Sequence, residues 1–231
     1  MKASCSAAPA RSLSSEPWLL VMDIDSTLID QEVIDLLGDA AGVGEQVAVL
    51  TEAAMRGELD FAQALKKRVS LLQGLPVSIF ETVLNQISFT TGALELIEVL
   101  HQYGWKIGVV SGGFHEVADA LVERAGIDFC CAHHLEQAQG ILTGRITGSV
   151  VTKNTKVEAL RTWANQMGIP LSHTVAIGDG ANDIPMIQSA GIGIAFCAKP
   201  ATVAAAPHHI DERNLMHALD IIAAKQNAVK N

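Results

Sequence analysis

Residues 18–22, Trp-Leu-Leu-Val-Met, form an unbroken apolar run that stops at two carboxylates, Asp23 and Asp25. A run with no polar residue suits a strand covered on both faces, as inside a parallel sheet. In open α/β sheets, ligands bind outside the carboxyl ends of the strands. Two acids at that edge can hold a hard cation and still leave an oxygen free to attack. Asp, Ser and Thr also favour helix caps. Taken alone, the segment therefore also admits a plainer reading, a strand that ends in a capping turn.

Three further segments favour the site. Lys106-Ile107-Gly108-Val109-Val110 is a second strand candidate, ending in Ser111-Gly112-Gly113. A hydroxyl and two glycines ahead of a helix over 114–125 offer backbone N–H groups and a helix N-terminus to an anion. Thr174-Val175-Ala176-Ile177 is a third candidate and runs into Gly178-Asp179-Gly180-Ala181-Asn182-Asp183, so acids again appear where a strand ends. Between these two, Lys156 opens a helical stretch that carries Val157, Leu160 and Trp163 at helical spacing.

In this order the segments resemble the haloacid dehalogenase superfamily of phosphohydrolases. Its four motifs correspond to Asp23-Ile24-Asp25-Ser26-Thr27, Ser111-Gly112, Lys156 and Gly178 to Asp183. More narrowly, the chain is similar to the phosphoserine phosphatase family, on Asp23 to Ile29, Lys67 to Leu72, Leu142-Thr143-Gly144 and Gly178 to Met186. The resemblance spans residues 18–225. It implies an α/β fold: a Rossmann-like parallel sheet core, residues 18–30 and 92–231, with an α-helical cap inserted at 31–91. A segment with no strand-like alternation supports the cap, reading as helices over 32–41, 44–56, 60–72 and 77–85, with Asp60 as an N-cap. Closure of such a lid excludes water and completes substrate contacts. Residues 140–151 alternate between glycines and read as a β-hairpin flap at the sheet edge. Residues 214–224 read as an amphipathic covering helix.

The resemblance also implies a division of labour. Asp23 would be the nucleophile and form an aspartyl-phosphate. Asp25 would protonate the leaving alkoxide and then activate water. Mg²⁺ would be held by Asp23, Asp179 and the backbone carbonyl of Asp25, an all-oxygen set that favours it over zinc. Lys156 would hold the phosphate and the nucleophile's charge. Ser111 and the Gly112 N–H would bind phosphate oxygens, with Asn182 near the phosphoryl group and Asp183 in support. Phosphoserine adds an ammonium and a carboxylate. Glu32 matches the family position that meets the amine, and Arg68 the one that grips the acid with a bidentate fork. Phe61 and Met55 would line the cap side of the pocket. Plainer readings stand beside these: Glu32 as a first-turn acid, Arg68 as part of a solvated Lys66-Lys67-Arg68 face, and Phe61 and Met55 as cap core. The implied reaction is hydrolysis of O-phospho-L-serine, the last step of serine biosynthesis. Transfer of the phosphate to another alcohol, hydrolysis of a different amino-alcohol phosphate, or a silent binding protein on the same fold are the alternatives.

Composition narrows the partners. At 231 residues the chain can bury a sizeable core as one domain with an insertion. A net charge of −9 argues against nonspecific binding to nucleic acid or anionic membrane. No run approaches the roughly 20 apolar residues of a membrane span. Cys5, Cys130, Cys131 and Cys197 make no Cys-x-x-Cys and no zinc spacing, as expected of inert thiols in a reducing compartment, and the cytoplasm is the expected location. Residues 1–17 lack a secretory signal's apolar stretch and read as a flexible tail, too short for the N-terminal regulatory domain some family members carry. His133-His134 and His208-His209 read as surface pairs in connecting segments. Either a monomer or a homodimer fits the chain.

Overall fold

The computed structural model describes residues 13–14, 16–55 and 58–229. Its centre is a single sheet with strand order β4-β3-β2-β1-β5-β6-β7. These strands are β1 (Leu19–Met22), β2 (Lys106–Phe114), β3 (Phe129–Ala138), β4 (Ile141–Thr147), β5 (Thr174–Gly178), β6 (Ile192–Phe196) and β7 (His208–Ile210). Every neighbouring pair is parallel except β3 with β4. All four residues of β1 are fully buried, with Leu20 and Met22 in one apolar cluster and Leu19 and Val21 in the other. Burial on both faces is why the segment reads as a continuous apolar run instead of alternating. From β1 the chain builds outward through β2 on one side and β5 on the other. The crevice at their carboxyl ends is therefore a topological switch point, where open α/β sheets place ligands.

Helices α1 (Val33–Ala40), α2 (Gly44–Met55), α3 (Phe61–Ser70) and α4 (Ile79–Leu84) lie between β1 and α5 (Ala93–Gln102). Asp60 caps α3 through a reciprocal capping box with Gln63, the role the sequence predicts. The helical segment leaves and returns through neighbouring extended residues: Ile29 pairs antiparallel with Phe89, and the Thr90 N–H donates to the Leu28 carbonyl at 3.0 Å. Arg213 ties down the outgoing arm, with Nε 2.6 Å from Asp30 Oδ1 and Nη2 3.3 Å from the Ser26 and Ile29 carbonyls. Beyond β2 follow α6 (His115–Ala125), α7 (Lys153–Gln166), α8 (Ile184–Ser189), α9 (Pro200–Ala205) and α10 (His217–Val229). The Leu19/Val21 face packs on α7 and α8, and the Leu20/Met22 face on α5, α6 and α10. No helix among the described residues is long and apolar enough to cross a membrane.

The structure departs from the sequence reading in four places. The hairpin lies one strand earlier than residues 140–151: β3 turns through Gln139 and Gly140, at φ +53° and +77°, into β4. His133 and His134 belong to β3 rather than to a connection, and His133 is buried, its ring nitrogens within hydrogen-bond reach of the Gly112 and Gly113 oxygens and the Val151 N; of the pair, only His134 faces solvent. His208 and His209 likewise belong to a strand, β7. Of the N-terminal segment, residues 1–12 and 15 lie outside the described residues, whereas Leu13 is buried and the Ser14 N–H donates to Gln226 Oε1 at 2.7 Å. Cys130, Cys131 and Cys197 are free thiols, and burial pushes that of Cys130 up to about 12, which keeps it protonated.

Gly108 of β2 sets how closely α7 approaches the sheet. A Cβ there would lie 2.5 Å from the Trp163 ring of α7, which is itself stacked on Phe129. Gly108→Ala should therefore destabilise the protein by about 1–3 kcal/mol, the usual cost of overpacking. Urea unfolding measures this, and a midpoint equal to wild type would show that Trp163 yields without cost.

Candidate active site

Asp23 begins where β1 ends. Its N–H still donates to the Ile177 carbonyl of β5 at 3.1 Å, while its carboxyl points into the crevice. Residues Ile24–Leu28 then coil in one wide turn, closed by the Ile29 N–H on the Ile24 carbonyl at 3.0 Å. Inside it Asp25 is extended and Ser26 takes φ +55°, a left-handed conformation uncommon for a residue with a Cβ. This reversal sends the Asp23 and Asp25 carboxyls to different partners.

Asp23 Oδ1 accepts the Ile24 N–H at 2.8 Å, and Oδ2 lies 2.8 Å from Lys156 Nζ. Lys156 is 1% exposed, on the first turn of α7, and its ammonium also meets Asp183 Oδ1 at 2.6 Å. Burial alone would pull this ammonium's pKa down; Asp23 and Asp183 more than reverse that and hold it charged. Asp183 is fixed in turn by the Gly180 N–H at 3.0 Å. Burial, only partly opposed by the Lys156 charge and reinforced by neighbouring acids, pushes Asp23 and Asp179 above the ordinary carboxylate range.

Carboxylate oxygens of Asp23, Asp179 and Asp183 lie within 4.8 Å of one another. With Asp25 close by, this group of acids has, among the described residues, one buried ammonium to balance it, that of Lys156. The shortfall of positive charge and the all-oxygen donor set both fit a hard divalent cation.

Asp25 turns the other way. Its Oδ1 accepts the Val33 N–H at 2.8 Å, capping α1, whose own cap residue Glu32 makes no side-chain cap bond. Its Oδ2 accepts from Ser111 Oγ at 2.7 Å, and Ser111 Oγ accepts the Gly113 N–H at 2.7 Å. The capping role weighed for this acidic segment is thus real at Asp25, alongside its place in the crevice. Burial raises the Asp25 pKa, although the Val33 and Ser111 bonds oppose the shift.

Above these groups the helical segment closes one wall of a cleft of about 630 Å³. Asp23, Asp25, Glu32, Phe61, Arg68, Gly112, Asp179 and Asn182 all line it. Lys156, Asp183 and Ser111 stand just behind them, fully buried. Glu32 sits at the open rim, where Ser26 Oγ donates to it at 2.7 Å; desolvation and the Asp25 charge push its carboxyl up to about 7. Arg68 does not belong to a solvated face. It is half-buried, its Nη1 is 3.5 Å from Thr51 Oγ1, and its buried Nε has no partner. Phe61 reaches over the phosphate-loop candidate, with its ring edge 3.3 Å from where a Gly112 Cβ would be. The Met55 side chain lies outside the described residues. Two polar cleft residues were not among the site candidates read from the sequence, Thr51 and Lys199. Lys199 follows β6 at the same sheet edge, which was the available signal; Thr51 is an unremarkable helix residue and offered none.

The haloacid dehalogenase-like hydrolase family matches residues 20–188. The chain is 57% identical over 210 residues to phosphoserine phosphatase of Streptococcus thermophilus, covering 91% of this chain and 98% of that one. It is 54% identical over 204 residues to phosphoserine phosphatase of Lactococcus lactis, covering 88% and 94%. A solved structure of a phospho-aspartyl intermediate analogue of phosphoserine phosphatase superposes with a TM-score of 0.84 at 43% identity, covering 89% of this chain and 99% of that one. The acids at the ends of β1 and β5, the buried lysine and these likenesses agree: the chain belongs to the haloacid dehalogenase-like hydrolases, in the branch of the phosphoserine phosphatases.

Proposed function

We propose that the chain hydrolyses O-phospho-L-serine to L-serine and phosphate through an aspartyl-phosphate on Asp23, the step that releases serine in its biosynthesis. One observation carries this reading: Asp23, paired with a buried lysine, a second acid and a guanidinium line one cleft, as a phosphorylated zwitterion requires. An Asp23 carboxylate oxygen attacks phosphorus in line with the leaving serine oxygen. Asp25, held beside the crevice by the Val33 N–H and Ser111 Oγ, delivers a proton to that oxygen as the P–O bond breaks. Asp25 then takes a proton from water, which attacks the aspartyl-phosphate and frees Asp23 and phosphate. Lys156 holds Asp23 in place and offsets its charge. The Gly112 N–H donates to one phosphate oxygen and Ser111, once its hydroxyl turns from Asp25, to another, with Asn182 beside them and Asp183 fixing Lys156. Asp23, Asp179 and the Asp25 carbonyl would hold Mg²⁺, which would supply positive charge to offset the repulsion between a phosphate dianion and a carboxylate.

Residues 31–91 act as a cap over a core of 18–30 and 92–231, with Phe61 and, from the sequence, Met55 on the pocket side. Glu32 receives the ammonium, and Arg68, whose Nε is unpartnered, receives the carboxylate. The activity named for the relatives and the phospho-aspartyl structure support this chemistry.

Phosphate release from L- and D-phosphoserine, phosphothreonine, phosphoethanolamine and p-nitrophenyl phosphate tests the assignment. L-phosphoserine should dominate, EDTA should stop turnover and Mg²⁺ restore it; similar low rates on every ester would remove the substrate assignment, and metal-independent turnover the cation. Asp23→Asn should lower kcat by roughly 10³-fold or more, the scale of losing a nucleophile, with an unchanged circular dichroism spectrum. Appreciable residual turnover would place the nucleophile elsewhere. Arg68→Lys should raise KM for phosphoserine by roughly tenfold, about one charge-assisted hydrogen bond, and leave p-nitrophenyl phosphate little affected. Equal losses on both would make Arg68 a folding residue.

A further inference from the structure

We propose that His133 is a positioning residue of the phosphate loop, its imidazole holding the Gly112 and Gly113 peptides in the orientation that serves the cleft. The proposal rests on the reading that Ser111–Gly113 receives the phosphoryl group.

The β2–β3 ladder explains why the loop needs such a residue. Val110 pairs with Cys131 and Phe114 with His133, so four steps along β2 run against two along β3. The surplus backbone, Ser111-Gly112-Gly113, bulges out of the ladder, and its carbonyls lose their strand partners. Buried carbonyls without a donor are costly. His133 Nδ1 lies 3.1 Å from both the Gly112 and the Gly113 oxygens. Its Nε2 lies 2.7 Å from the Val151 N. A backbone N–H can only donate, so Nε2 is the bare nitrogen and Nδ1 carries the proton toward the two carbonyls. The ring is 1% exposed, and burial, partly opposed by those carbonyls, favours its neutral form.

The consequence for the cleft follows from peptide geometry. In a planar trans peptide the C=O and N–H point in opposite directions. With the Gly112 carbonyl held toward His133, the Gly113 N–H must face the other way, and there it meets Ser111 Oγ, which donates to Asp25. The same ring reaches Val151, one residue ahead of Thr152, the N-cap of the helix that carries Lys156. One imidazole thus sets the phosphate loop and the start of the lysine helix relative to each other. Two glycines in the bulge have little intrinsic preference for this orientation, so it must come from a neighbour.

Three variants of the full chain separate positioning from mere stability. In H133N the amide N–H occupies the place of Nδ1 and keeps the carbonyl clamp. In H133Q the amide oxygen reaches the place of Nε2 and keeps the Val151 contact. H133L keeps neither. The measurements are kcat/KM for phosphoserine, the affinity for inorganic phosphate by calorimetry, and Tm. We expect H133L and H133Q to lose roughly 10–100-fold in kcat/KM, as misplacement by an ångström does. H133N should recover most of that loss, although each amide leaves one of the ring's contacts unmade. Phosphate affinity should follow the same order, independent of Tm. The proposal is overturned if activity tracks Tm across the three variants, or if H133N is no better than H133Q. Should wild type fail to turn over phosphoserine, the proposed substrate fails, and the order of phosphate affinities alone decides the role of His133.

Discussion

An ammonium without access to water, Lys156, is held between Asp23 and Asp183, and the rest of the site is arranged around that pair of contacts. A buried charge is tolerated only when its partners are close and themselves satisfied. Asp183 is satisfied by the Gly180 N–H, and Asp23 by the Ile24 N–H. Each element involved has therefore lost its freedom to shift: the end of β1, the loop after β5 and the first turn of α7. The fit of α7 onto the bare backbone of Gly108 has the same effect on the apolar side. Taking away one acid would strand a charge, which is why these residues behave as a unit.

The turn over residues 24–28 gives the two acids of the first motif separate duties. Asp23 is committed to the core through Lys156, whereas Asp25 reaches out to the head of α1 and to Ser111. The group proposed for proton transfer thus also caps α1, the first helix of the inserted segment. Any shift of α1 would change the environment of the Asp25 carboxyl through that hydrogen bond. Arg213, clamped on Asp30 and two carbonyls, holds the arm through which such motion would pass.

Local pattern made much of this readable in advance. The buried strand ends, Asp23, Asp25 and Asp179, the glycine-rich Ser111 segment and Asp60 as a cap all announce themselves through neighbours within a few residues. The lack of strand-like alternation, with Asp60 as a cap, also located the four helices of the inserted segment, to within two residues at every end. Other features depend on which segments meet. His133 looked like half of a surface pair because nothing local says that its neighbour strand bulges. Thr51 and Lys199 enter the cleft only because α2 and the end of β6 converge there.

The sequence by itself determined the groups available for chemistry: an apolar strand that must be buried, carboxylates at its end, a lysine on a helix and a glycine-rich loop at a second strand end. Strand burial and motif spacing are local constraints, and they survive translation into a linear chain. Tertiary structure alone decided which acid pairs with the ammonium, which one caps the helix, that Arg68 is half-buried instead of solvated, and that a histidine holds the loop. Those outcomes turn on contacts between residues far apart in the chain, such as 23 with 156 and 25 with 111, whose energies exist only once the sheet brings the segments together.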